Sequence, residues 1–190
     1  AFIGKLGVDR QVKKDLRVRL TGSMYKTDKA MSNTLYGGDR AGSRYYWVME
    51  NTAATENGNA TSGYINPGFK NKVTAMQLNP FIKFRGAEVF GVIERATGKA
   101  STEAADREWN QYAVDAVYRF LQGEKLFVGA RYNRATGTLA GITSDVGANR
   151  WQMSAGWFIL PGLLAKGEYV DQKFVGYPPA NIKNGGRFKG

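Results

Sequence analysis

The chain has 190 residues with 27 basic and 16 acidic side chains, and its formal net charge is +11. It contains neither Cys nor His, which excludes disulfide frameworks, the commonest zinc sites and the Ser/His and Cys/His nucleophile pairs. Chemistry by carboxylates or Lys remains possible on this ground alone, but we expect no enzyme activity, no cofactor and no metal. The 24 Gly, 10 Phe, 10 Tyr and 4 Trp residues are typical of strands and turns rather than of helical bundles or disordered chains.

The sequence shows neither a candidate transmembrane helix nor a signal peptide. The longest nearly apolar stretch, residues 155–165, is interrupted by Pro161 and Gly162 and is far shorter than the roughly 20 residues of a spanning helix. Residues 1–10 lack the charged start and long apolar run of a signal peptide. We interpret the sequence as a mature chain or a fragment.

Runs that alternate in polarity occur in four pairs, and a short turn joins the two members of each pair. The predicted strands are residues 1–10 and 16–26, 73–84 and 88–96, 109–120 and 126–133, and 150–159 and 163–173. Residues 109–120 also fit a helical stripe, but the flanking hairpins favour a strand. Pro80 removes a ladder donor and predicts a bulge or an unpaired position.

The connections alternate between short turns and long polar loops, the latter at residues 27–72, 97–108 and 135–149. This alternation is typical of outer-membrane barrels, which have short periplasmic turns and longer extracellular loops. The pattern predicts an all-β, antiparallel, up-and-down transmembrane β-barrel in which residues 1–190 form a single domain. We expect residues 27–72 to be a long extracellular loop, with two alternatives: it is simply exposed, or it folds into the pore and places Arg40 and Arg44 at a constriction.

Writing each predicted strand with a period of two separates a polar face from an apolar one. Aromatic residues such as Tyr25, Tyr112, Tyr132, Trp151 and Trp157 lie mostly near strand ends, where membrane interfaces would be. The residues predicted to line a water-filled pore are Lys5, Arg17, Arg19, Lys83, Arg119, Arg131, Arg150, Lys166 and Glu168, with Arg85 counted on the same face. Positive charge exceeds negative charge on this face, which predicts a weak preference for anions.

Two segments carry a resemblance to a known family. The first segment is residues 156–166, Gly-Trp-Phe-Ile-Leu-Pro-Gly-Leu-Leu-Ala-Lys, continued by residues 168–174, and the second is the hairpin at residues 79–86. Both resemble porins of the phosphate-selective porin O and P type, especially the porin-like outer-membrane proteins of Bacteroidetes. The resemblance is strongest over roughly the last 120 residues and implies a trimeric channel of about sixteen strands in the bacterial outer membrane.

The same resemblance implies the partners and the part of the barrel that is present. Outer-membrane lipid, lipopolysaccharide, small anionic or neutral solutes and two further copies of the chain are the implied partners. Family members typically close with a strand that ends in an aromatic residue, whereas residues 181–190 are typical of an external loop. We therefore expect eight strands of a larger barrel, from its C-terminal portion, with the final strand missing.

Other interpretations remain open at this point. A complete eight-stranded barrel would act as a structural anchor or adhesin, with side chains filling its interior and no conducting pore. A soluble extracellular sheet that binds glycans or polyanions would also alternate in polarity. A hydrolase lacks a His as general base, and nucleic-acid binding leaves the strand lengths unexplained.

Overall fold

The computed structural model describes residues 1–30, 65–181 and 183–190. These residues form one antiparallel sheet in which the strands are paired in chain order. The strands are β1 (Phe2–Lys13), β2 (Leu16–Thr27), β3 (Lys72–Phe84), β4 (Ala87–Lys99), β5 (Arg107–Phe120), β6 (Leu126–Gly137), β7 (Val146–Leu160), β8 (Leu163–Val175) and β9 (Arg187–Lys189). The predicted all-β, up-and-down antiparallel architecture is confirmed.

The sheet is open in the described part of the chain, with β1 at one edge and β9 at the other. A short 3-10 helix, Gln122–Glu124, lies in the connection between β5 and β6. Among the described residues, no helix has both the length and the apolar character needed to cross a bilayer. Strands β1 to β8 have 12 to 15 residues, about twice the average strand length in soluble proteins.

Tight turns join the strands of each hairpin at one end of the sheet, which we call the short-turn end. Gly162 has a φ of 85°, which glycine adopts without strain. Arg85 also has a positive φ, 52°, and lies in the turn between β3 and β4. The placement of Arg85 on the polar face of a strand was therefore wrong. Strand β1 runs to Lys13, so the first turn is shorter than the sequence pattern indicated.

The ladder between β3 and β4 is interrupted at Pro80, as predicted. Direct pairing passes from Leu78 with Ile93 to Phe81 with Phe90. The Asn79 side-chain Nδ2 donates to the carbonyl oxygen of Gly91 at 3.3 Å, so an amide side chain replaces the donor that proline lacks. A Cβ at Gly91 would lie 2.8 Å from Cγ of Pro80, which explains the glycine opposite the proline.

Residues near the C-terminus form a ninth strand, where the sequence indicated a loop. Arg187–Lys189 pairs with Asp171, Gln172 and Lys173 of β8. The backbone N–H of Gly190 donates to the carbonyl oxygen of Val170 at 3.0 Å, and an Arg187–Asp171 ion pair supports the same contact. The interpretation of this whole segment as an external loop was wrong because its polar composition hides three residues that pair.

A buried apolar cluster lies at the opposite end, the long-loop end. It forms where loop residues fold over the polar face of the sheet, since Trp109 lies on β5 whereas Phe69 and Tyr177 come from connections. Its buried members are Phe69, Val73, Ala75, Ala96, Trp109, Val146, Phe174 and Tyr177. The polar face is therefore partly covered at this end.

Arg107 ties three connections to this cluster. Its Nε donates to Oε1 of Glu103 at 2.6 Å and its Nη2 to Oε2 at 2.9 Å, while its Nη1 donates to the carbonyl oxygen of Thr138 at 2.8 Å. The guanidinium lies 5.1 Å from the ring centroid of Phe69. The hydrogen bonds from Arg107 hold the pKa of the Glu103 carboxyl below its usual value.

Glu103→Gln should lower the free energy of unfolding by about 1–2 kcal/mol at neutral pH, since one charged hydrogen-bond pair is lost. Because the pKa of Glu103 is lowered in the folded state, its stabilisation is present above the unfolded pKa and disappears as the pH falls through the folded pKa. Urea unfolding followed by tryptophan fluorescence should show the two proteins converging in acid. Glu124→Gln is the control, and an equal loss there would contradict the role of Glu103.

Candidate functional site

The register of the ladder sorts the strand residues onto two faces. Direct pairs join Arg17 to Lys83 and Lys83 to Glu88, so these residues share one face. The same pairing places seven more of the predicted residues on this face: Lys5, Arg19, Arg119, Arg131, Arg150, Lys166 and Glu168. We call this the polar face. Arg40 and Arg44 lie outside the described residues.

Carboxylates on the polar face pair with most of these cations. Glu88 contacts Nζ of Lys83 at 2.9 Å and Nη1 of Arg119 at 2.8 Å. The Glu88 side chain is 22% exposed and is shared by two strands besides its own. Such a shared carboxylate offsets repulsion between the two neighbouring cations.

Three more ion pairs follow the same pattern along the face. Asp9 accepts hydrogen bonds from Nε of Arg17 at 2.9 Å and from its Nη2 at 2.6 Å. The ion pair of Lys166 with Glu168 is 2.6 Å long, and that of Arg131 with Asp115 is 3.4 Å long. Asp9 and Asp115 thus have partners that the sequence analysis did not assign, because a cross-strand pair is visible only when the register is known.

Three cations of this face have no ion pair within the described residues. The guanidinium of Arg19 lies 4.8 Å from the ring centroid of Phe81. Arg150 donates from Nη1 to Oε1 of Gln172 at 3.4 Å, and Lys5 has no ion-pair partner in the described ranges. The uncompensated positive charge of the polar face is thus concentrated on Lys5, Arg19 and Arg150.

A cavity of about 570 Å³ lies between the charged residues and the buried cluster. Its polar lining is mainly uncharged, with Ser23, Tyr25, Gln77 and Gln111 alongside Glu94. Gln77 donates to Oε2 of Glu94 at 2.9 Å. These groups offer hydrogen bonds to hydroxyl and amide groups rather than a strong charge. Tyr25 pairs with Ala75 of the cluster and therefore belongs to the polar face, not to an outward ring of aromatics.

The opposite face, which we call the apolar face, is exposed. In β5 the apolar residues Tyr112, Val114 and Tyr118 are 50%, 45% and 53% exposed. The alternate residues Ala113, Asp115 and Val117, on the other face, are intermediate or buried. This is the reverse of an ordinary half-buried sheet, whose apolar side packs on the core. A continuous exposed apolar surface on this scale indicates contact with another apolar phase or partner.

The apolar face ends in a sharp boundary near the long-loop end. On β4 the outward series changes from Ile93 to Arg95, and on β7 it changes from Trp151 to Asn149. At the point where the outward series first turns polar, the last apolar residues on β2 to β8, in order, are Met24, Met76, Ile93, Tyr112, Tyr132, Trp151 and Tyr169.

This boundary crosses the strands obliquely. It is level between β2 and β3, β4 and β5, and β6 and β7, and it shifts by two residues at each of the three steps β3–β4, β5–β6 and β7–β8. The total shift of six residues is about 20 Å along the strands, over roughly 29 Å across six strand spacings. A level plane therefore meets strands tilted by roughly 35°, within the range of membrane barrels.

The apolar belt below this boundary has a defined height. On β5 it runs from Tyr112 to Phe120, eight residues or about 26 Å along the strand. Corrected for the tilt, that distance is about 21 Å between the two Cα levels, and the rings extend it. Aromatic pairs lie at both margins, with ring centroids 4.5 Å apart for Tyr132 and Trp151 and 6.0 Å apart for Tyr118 and Phe120.

A scan against protein-family models finds no match, and comparisons with curated proteins and with solved structures find no significant similarity. The geometry of the two faces must therefore carry any functional argument.

Glu88→Gln should lower the free energy of unfolding by about 2 kcal/mol because Lys83 and Arg119 would then face each other without a shared anion. The double variant Lys83→Gln/Glu88→Gln should recover part of that loss, since only one cation remains. Urea unfolding of the single and double variants completes a thermodynamic cycle. A coupling energy near zero would contradict the shared-carboxylate interpretation.

Proposed function

We propose that the chain forms part of an outer-membrane β-barrel porin, a passive diffusion channel for small hydrophilic solutes with a weak preference for anions. The observation that carries this proposal is the oblique apolar boundary. In an open sheet in water, nothing requires the outward change from apolar to polar residues to follow one tilted line across the seven strands β2 to β8, whereas a bilayer interface imposes that geometry.

The open edges of the sheet support the same proposal. Backbone groups on the exposed edge of β1 need partners inside a hydrocarbon layer, where water is absent. A closed barrel satisfies them, with further strands pairing at β1 and along the part of β8 that β9 leaves unpaired. The barrel of about sixteen strands and the homotrimer implied by the family resemblance stay predictions.

The polar face supports the solute class. Its ion pairs and free cations would line an aqueous lumen, where the three uncompensated cations, Lys5, Arg19 and Arg150, attract anions. Paired charges on the rest of the wall keep the net field small, so the preference is weak. The amide-lined cavity near Gln77 and Gln111 suits hydroxylated or neutral solutes as well.

Adjacent positions on β7 test the membrane orientation directly. The chain has no Cys, so Met153→Cys and Ser154→Cys each introduce a unique thiol. In lipid vesicles, a charged, membrane-impermeant methanethiosulfonate should modify the thiol at 154 and spare the thiol at 153. Met153 is 59% exposed, so a soluble sheet would show the opposite order, and that result would overturn the proposal.

Planar-bilayer recording tests the conduction. We expect the reversal potential to show a preference for anions, and we expect this preference to decrease as the salt concentration rises. Arg19→Glu/Arg150→Glu should move it toward cations, because neither residue has a carboxylate partner among the described residues. Arg95→Gln, on the apolar face, is the control and should not move it. Membrane insertion without any conductance would favour the alternative of an eight-stranded anchor or adhesin.

A further inference from the structure

Two cations on the apolar face lie immediately beyond the aromatic margin of the belt. Arg134 pairs directly with Asn149, and Asn149 pairs directly with Lys173, so the three residues form one outward row across β6, β7 and β8. We call them the Arg134 row. Two strand spacings separate Arg134 from Lys173, about 10 Å.

The charges of the Arg134 row are uncompensated within the described ranges. Arg134 and Lys173 are exposed, and neither has an ion pair there. Asn149 makes no side-chain hydrogen bond there. The nearest outward carboxylate, Asp171, is already engaged by Arg187 through two hydrogen bonds. Elsewhere along the boundary, Arg95 has Glu108 as a partner at 2.5 Å. The Arg134 row thus differs from Arg95 in having no carboxylate partner among the described residues.

The position of the Arg134 row indicates which part of a bilayer it would contact. Tyr132 and Trp151 lie one outward position below it, and their rings contact each other at 4.5 Å between centroids. Aromatic residues at such a margin lie at the headgroup level of a bilayer. Cations one step beyond them therefore lie at the depth of lipid phosphates, with an amide donor between them.

We infer that Arg134, Asn149 and Lys173 form a binding site on the outer wall for the phosphate of an anionic lipid headgroup in the leaflet on the long-loop side. This inference rests on the proposed membrane location. The Arg134 guanidinium and the Lys173 ammonium neutralise the phosphate, Asn149 donates a hydrogen bond, and Tyr132 with Trp151 contacts the start of the acyl chains. The site is independent of the polar face and of conduction.

The test is lipid retention from vesicles made of equal parts phosphatidylcholine and phosphatidylglycerol. After reconstitution and gentle extraction, the wild type should retain phosphatidylglycerol in excess, and high salt should reduce the excess. Arg134→Gln/Lys173→Gln should reduce the preference about 5- to 30-fold, given roughly 1 kcal/mol per basic residue at a membrane surface. The control variant Lys5→Gln/Arg19→Gln changes the net charge by the same amount but on the polar face, and it should keep the preference for phosphatidylglycerol.

Further arms separate the possible outcomes. The charge-conserving variant Arg134→Lys/Lys173→Arg should retain the preference, which distinguishes loss of charge from loss of folding. If inorganic phosphate competes with phosphatidylglycerol at equal concentration, the site takes free anions and the lipid assignment is overturned. Insertion into vesicles of phosphatidylcholine alone is measured separately: failure there overturns the proposed membrane location, whereas insertion without any phosphatidylglycerol preference overturns only the headgroup site.

Discussion

The backbone hydrogen-bond ladder is the constraint on which every other feature of this molecule depends. Because side chains alternate along a strand, a slip of one residue in any pairing would exchange the two faces beyond it. The described ladder keeps its parity from β1 to β8, and its register shifts between Gln11 and Lys13 and between Phe158 and Leu160 lie beside turns, where the faces end. Seven consecutive pairings therefore hold charges on one side and apolar groups on the other.

The two faces that this ladder creates make opposite demands on their surroundings. Ion pairs such as Lys83–Glu88 and Arg17–Asp9 are formed between neighbouring strands and tolerate water. The apolar face leaves large residues such as Met153 and Trp157 more than half exposed, a condition that costs free energy in water. An environment with water on one side of the sheet and hydrocarbon on the other satisfies both faces, which links the fold to the proposed channel.

The sequence predicts the strands well because a period of two is a strong local signal and tight turns punctuate it. The strand at Arg107–Phe120 could be chosen over a helix only from its neighbours, and the ladder confirms it. Partners such as Asp115 for Arg131 depend on register, which no local pattern contains. The short strand Arg187–Lys189 was missed because a run of three residues is too short to establish a period, and Arg85 was misplaced because its positive φ is invisible in the sequence.

The two-residue shifts of the apolar boundary fall inside the hairpins β3–β4, β5–β6 and β7–β8, and the steps between hairpins are level. Each of these hairpins is thus a repeating module, and the offset of the boundary lies between its own two strands. In the proposed barrel, duplicating or deleting such a module would change the circumference but keep the inclination of the strands. A lineage built from these modules could then widen or narrow the proposed pore while keeping the same fit to a bilayer.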